Sequence, residues 1–259
     1  MIKAKKQYGQ NFLKDKSVLE KIIQAISKDT ENIVEIGPGL GDLTQELLKI
    51  SRVKAIEIDE DLLPFLRQKF KTQIASGKLS LINADASKLF EKGLDEKPYF
   101  LVANLPYYVA TNLILSALKD ENCLKLLVMV QKEVGLKFCA KAGDSDFSAL
   151  GVLSSLICKR EFLFEVAPKS FEPAPKVSSA VILLEKQNYF NELCELGAFE
   201  SFLKLCFKAP RKTLLSNLKP FKNELLKFLS ERNLKENIRP HELCAKSYLE
   251  LFENLKDNL

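Results

Sequence analysis

The residues best suited to chemistry close a series of short apolar runs in the first half of the chain. The earliest group is Glu35-Ile36-Gly37-Pro38-Gly39-Leu40-Gly41-Asp42. Glycines at alternate positions let a backbone turn tightly and come close to a ligand. A dinucleotide site wants GxGxxG, and Asp42 stands where its third glycine would fall. This spacing turns the reading from NAD toward S-adenosylmethionine, which has no phosphates to cradle; a plain strand-to-helix turn is the alternative. Glu57 follows Gly37 by 20 residues, a placement that suits an acid on a ribose diol. Asp85-Ala86 closes the next run. A carboxylate there can accept from an adenine amine while the following N–H donates to the ring. Taken alone, that pair reads better as a solvated turn. Three such groups at the ends of consecutive strands point instead to the edge where open α/β sheets bind ligands.

The most specific group is Asn104-Leu105-Pro106-Tyr107. The exocyclic amine of adenine is a poor nucleophile because its lone pair is delocalised into the ring. To attack a methyl group it must be held with that lone pair turned toward the sulfonium. The Asn104 side-chain oxygen and the Leu105 carbonyl can each accept one N6 hydrogen. Pro106 biases Leu105 toward an extended conformation, and Tyr107 can stack on a flipped base. No strong general base is required. A strand ending in a Pro-Tyr turn is the plain alternative.

These groups require strands that end together and helices that return the chain. Apolar β-rich runs are expected at residues 32–39, 53–59, 78–85, 98–105 and 124–131, with helical spacing at 41–50, 60–70 and 111–118. Further helices are expected at 132–142 and 148–158, then strands at 160–168 and 176–186 that pair antiparallel because no helix separates them. The alternation implies a mostly parallel sheet with helices on both faces. After residue 187 only helical periodicity remains, punctuated by Pro210, Pro220 and Pro240. The expected organisation is a catalytic domain over residues 1–187 and a helical domain over 188–259.

Composition narrows the chemistry. The chain has 259 residues, 28% charged and 46% hydrophobic, with a formal net charge of +5, the balance of a folded and mildly basic protein. The only histidine is His241, which argues against a Ser-His-Asp arrangement or a multi-histidine metal site. The six cysteines form no CxxC pair and read as reduced, mostly buried thiols with no metal. The first residues, MIKAKKQYGQNFL, lack an apolar signal region, and no run is long enough to span a membrane. The expected location is cytoplasmic. Lys3, Lys5 and Lys6 precede GQNFL, while Lys204, Lys208, Arg211 and Lys212 cluster later. Of these, Lys5, Lys6, Lys208, Arg211 and Lys212 are the expected RNA phosphate contacts, with solvated helix faces as the alternative.

The sequence resembles the small-subunit ribosomal RNA adenine dimethyltransferases (KsgA/RsmA type) over almost its whole length. The resemblance is carried by GQNFL, EIGPGLGDLT, AIEID, NADA, VANLPYY, MVQKEV, FEPAPKVSSAV, RKTLLSNL and IRPHEL. It implies an α/β class I S-adenosylmethionine-dependent methyltransferase: a Rossmann-like, seven-stranded, mostly parallel sheet with a small all-helical C-terminal domain. It implies that Asn11 and Leu13 touch the cofactor through an N-terminal segment folding over its site, with Gly37 at its methionine end, Gly39 also binding it, Glu57 on the ribose and Asp85 with Ala86 on the adenine. Asn104 would hold the target N6, with Tyr107 and Phe171 packing about the base. The implied substrate is a pair of adjacent adenosines in the 3′-terminal stem-loop of 16S rRNA, and the enzyme is taken as a monomer acting on the small ribosomal subunit. Phe147-Ser148 stands where the family more often has Tyr-Gly. The rival readings are an erythromycin-resistance-type 23S rRNA methyltransferase, a methylase-derived RNA-binding assembly factor and a DNA adenine methylase. RKTLLSNL and IRPHEL favour the first assignment.

Overall fold

A computed structural model describes residues 4–27, 29–187 and 196–258. The described residues form two compact units. One takes those up to Gly135 together with Glu161–Lys186, and the other takes Leu136–Arg160 with those from Gln187 onward.

The first unit is built on strands β1 (Phe12–Leu13), β2 (Asn32–Ile36), β3 (Arg52–Glu57), β4 (Leu79–Asn83), β5 (Tyr99–Asn104), β6 (Cys123–Gln131), β7 (Cys158–Val166, shared with the second unit), β8 (Phe171–Glu172) and β9 (Ser179–Lys186). Its helices are α1 (Lys16–Gln24), α2 (Asp42–Ile50), α3 (Leu63–Lys69), α4 (Lys71–Ala75), α5 (Ala86–Leu89) and α6 (Ala110–Lys119). Seven strands make one sheet in the order β4-β3-β2-β5-β6-β9-β7. The pairs among β2 to β6 are parallel, and β9 runs antiparallel to β6. The central strands are apolar on both faces, as the burial of Ile33, Val34, Leu101 and Val102 shows, because helices cover both sides. In α2, Leu43, Leu47 and Leu48 fall on one buried face.

Strand order reverses between β2 and β5. At that switch point the carboxyl ends of adjacent strands diverge and leave a crevice. Register aligns those ends: Ile36 pairs with both Ile56 and Ala103, and Glu57 pairs with Asn83. The four sequence groups that could do chemistry therefore leave the sheet along one edge.

The strands expected to pair at 160–168 and 176–186 are neighbours in the sheet, with β9 lying between β6 and β7. One feature departed from expectation. The ladder of β1 with β8 (Phe12 opposite Glu172, Leu13 opposite Phe171) is too short to leave a periodic signal.

The second unit contains part of α7 (Lys132–Cys139), then α8 (Ala149–Ile157), α9 (Leu196–Cys206), α10 (Leu214–Asn217), α11 (Lys222–Glu231) and α12 (Ala245–Leu255). Helix α8, expected within the first domain, packs on α9 and α12. Its Gly151, Val152, Leu153, Ser154 and Ile157 are all buried, so it requires apolar neighbours on more than one side. The Phe147 departure lies here as a core residue, 3% exposed. Phe199, Phe202 and Phe252 form an aromatic cluster, the Phe199–Phe252 pair edge-on at 5.3 Å. Cys123, Cys158 and Cys206 are buried, Cys139 is partly so and Cys244 is exposed; Cys194 lies outside the described residues. No helix among the described residues is long and apolar enough to cross a membrane.

Candidate active site

A cavity of ≈ 260 Å³ opens at the carboxyl edge of the sheet. Its floor is the turn after β2. Gly37 has φ 69° and Gly39 φ 57°, the left-handed region that glycine enters without strain. A Cβ on Gly37 would meet nothing within 4 Å, so the bare backbone faces open space, whereas one on Gly39 would lie 2.9 Å from the Phe12 ring. The first glycine leaves room for a ligand, and the second lets the N-terminal segment close down.

Glu57 ends β3 and is 3% exposed. Its Oε2 accepts the Gly39 N–H at 3.2 Å and its Oε1 the Asp59 N–H at 2.8 Å. Burial lifts its carboxyl above the usual range, against the pull of those N–H groups. Each oxygen keeps a second lone pair, so Glu57 can brace the glycine turn and still accept from a hydroxyl in the cavity.

Asp59, two residues on, was not singled out from sequence. It is 2% exposed and accepts the Lys5 ammonium at 2.6 Å and the Gln10 amide at 2.8 Å. Burial opposes its charge, but the bonds from Lys5 and Gln10 outweigh burial and hold its carboxyl low. The second acid of AIEID was the available signal. Lys5, expected as an RNA contact, has its ammonium paired with Asp59 and with Asp61 at 2.6 Å each. Lys5 ties the N-terminal segment to the turn that follows β3. Lys5→Ala is therefore expected to weaken cofactor binding several-fold while leaving the salt dependence of rRNA binding unchanged. A lower salt slope with normal cofactor affinity would return Lys5 to the phosphate contacts. Lys6 is exposed in the turn Lys6–Tyr8, and Lys3 lies outside the described residues.

Glu35 lines the cavity and is 1% exposed, with no hydrogen bond to its Oε2. Burial pushes its carboxyl up to about 8 from 4.5. Between those values the folded chain holds a proton that the unfolded chain releases, so the Glu35 contribution to stability declines as pH rises through this window. Glu35→Gln removes the decline. In urea unfolding from about pH 5 to about pH 9, the variant should gain on the wild type as pH rises; a constant difference would contradict this.

Asp85 caps α5, its Oδ1 accepting the Ser87 N–H at 2.9 Å. The other oxygen remains an acceptor, and the N–H of Ala86 is one of the unpaired donors of a helix start. Both residues line the cavity.

Asn104 ends β5 beside them. Its Nδ2 donates to the Asn11 carbonyl at 2.9 Å, which orients the amide and leaves Oδ1 to accept. Asn11 and Leu13 line the cavity from the N-terminal segment, which is pinned further by the β1–β8 ladder and by Lys14 N–H on the Ser170 carbonyl at 2.9 Å. Leu105 donates its N–H to the Met129 carbonyl at 3.1 Å. Pro106 and Tyr107 complete this wall, with the Tyr107 hydroxyl bonded to Ser179 Oγ at 2.6 Å. Phe171 is not brought to the cavity. It is 5% exposed in the hydrophobic core, because its backbone pairs with Leu13. Its ladder with Leu13 supports the N-terminal segment. Lys208, Arg211 and Lys212 are exposed in the helical unit.

Comparison with known proteins agrees with this geometry. The model of the ribosomal RNA adenine dimethylase family matches residues 1–257. Ribosomal RNA small subunit methyltransferase A of Campylobacter jejuni (strain RM1221) is 64% identical over 257 residues, 99% of this chain and 97% of that protein. The dimethyladenosine transferase of Plasmodium falciparum is similar in structure, with a TM-score of 0.79 at 26% identity, covering 95% of this chain and 98% of that one. The 23S rRNA methyltransferase ErmE gives 0.72 at 26% identity, over 95% and 100%. The sheet is thus the class I methyltransferase fold, and the chain belongs to the ribosomal RNA adenine dimethylase family.

Proposed function

We propose that this rRNA methyltransferase dimethylates N6 of two adjacent adenosines in the 3′-terminal stem-loop of 16S rRNA, as a cytoplasmic monomer acting on the small ribosomal subunit. The observation that carries the chemistry is the Asn104 amide, oriented by Asn11 on the same cavity as Gly37, Glu57 and Asp85. The choice of small-subunit RNA rests on the 64% identity to a protein named for it.

The cavity suits S-adenosylmethionine. Gly37 leaves a cradle that a side chain would fill, and Glu35 offers a buried oxygen with no partner. Asn11, Leu13, Gly37 and Gly39 would hold the methionine end, Glu57 the ribose, and Asp85 with Ala86 the adenine. When bound, this cofactor supplies a methyl group activated by a sulfonium. Asn104 Oδ1 and the Leu105 carbonyl accept the two N6 hydrogens and turn the lone pair out of conjugation. Tyr107, held by Ser179, packs against the ring. The nitrogen gains a methyl and sheds one proton to water; no lysine or histidine lines the cavity among the described residues. For the second transfer only one N6 hydrogen remains, so packing against Tyr107 holds more of the base.

Incubating undermethylated small subunits, and separately 23S rRNA, with labelled cofactor tests this reading. Label in the small-subunit RNA is expected, and label only in 23S rRNA would overturn it. The basic residues of the helical unit add a second expectation. Neutralising Arg211 and Lys212 should weaken rRNA binding and reduce its salt slope by about 2, with cofactor binding unchanged; an unchanged slope would leave them a solvated face.

A further inference from the structure

Tyr108 is 63% exposed, more than any other large apolar side chain among the described residues. It nevertheless lines the same cavity as Asn104 and Tyr107. Its ring rests on the N-terminal segment at Gly9, whose φ is 59°. A Cβ at that glycine would lie 3.2 Å from the ring's Cδ1 and 3.3 Å from its Cε1. The ring is therefore seated at the cavity mouth while most of its surface stays open. The other aromatics lining the cavity, Tyr8, Phe12 and Tyr107, are partly buried, and Tyr8 has the Lys5 ammonium 5.7 Å from its ring centroid. Tyr108 is the platform left available.

Moving an adenine into the cavity strips the stacking from the nucleotide beside it. Exposed aromatic rings recover such stacking for any base, since every base has a π-face. We infer that Tyr108 stacks on the base of the nucleotide that flanks the adenosine held at Asn104. The inference rests on the adenosine-N6 reading above. It assigns to Tyr108 a positioning role outside methyl transfer itself: it holds the strand while Asn104 holds the target.

The test uses small subunits reconstituted with RNA carrying 2-aminopurine at the flanking position, whose fluorescence is quenched on stacking. Binding of the wild type should quench it, Tyr108→Phe should quench it equally, and Tyr108→Ala should not. The alanine variant should also raise KM for small subunits about tenfold, within the 1–3 kcal/mol that stacking on one aromatic contributes. That penalty should vanish when the flanking nucleotide is abasic. Equal quenching by Tyr108→Ala, or an equal penalty on the abasic substrate, would overturn the inference. Absence of methyl transfer by the wild type would instead remove the reading on which it rests.

Discussion

Replacing Asn104 with alanine is expected to lower methyl transfer to rRNA by at least about 100-fold, about 2.7 kcal/mol of transition-state stabilisation, with cofactor affinity within a few-fold of wild type. The Asn104 amide is held from one side only: Nδ2 is committed to the Asn11 carbonyl, so Oδ1 is the atom left for the incoming amine. Alanine removes that acceptor, and N6 loses one of the two groups that direct its lone pair. Asn104→Asp tests the orientation separately. A carboxylate has no donor for the Asn11 carbonyl, so two acceptors would face each other and the N-terminal segment would be pushed away. That variant should lose both turnover and cofactor affinity. Near wild-type turnover by Asn104→Ala would remove this residue from the mechanism.

Glu57→Ala should have a double consequence. Its carboxylate is the acceptor for the buried Asp59 N–H and the partly buried Gly39 N–H, and a buried donor left unpaired costs about 1–3 kcal/mol. Stability should fall by about 2–4 kcal/mol in denaturant titration. Cofactor binding should weaken by at least about tenfold, since a charge-assisted bond to a hydroxyl contributes about 1.5–3 kcal/mol. Calorimetry of the folded variant separates the two effects. Wild-type cofactor affinity together with lowered stability would make Glu57 a brace of the glycine turn and nothing more.

The elements that carry the site were legible because their signals are local. The run 32–39 is too apolar and β-branched for an exposed helix, and its glycines mark the turn that follows. The same holds for Glu57, Asp85 and Asn104, which read as strand ends and prove to be neighbours because register aligns those ends. What was not legible depends on partners distant in sequence. Asp59 reads as one more surface acid until Lys5 and Gln10 close over it. Phe171 reads as core on its pattern and as a base-packing ring only through the family resemblance, and its ladder with Leu13, which no local signal marks, sets it in the core. Lys5 reads as a phosphate contact, and only the folded chain shows it paired to carboxylates. Helix α8 looks like a continuation of the alternating domain, but its buried positions match the helices that follow it much later in the chain.

The most direct test is to map N6,N6-dimethyladenosine by mass spectrometry in total rRNA from cells with and without this protein. Two adjacent dimethylated adenosines in the 3′-terminal loop of 16S rRNA are expected to disappear with the protein and return on its expression, but not on expression of Asn104→Ala. Persistence of both modifications without the protein, or loss of a modification in 23S rRNA alone, would contradict it.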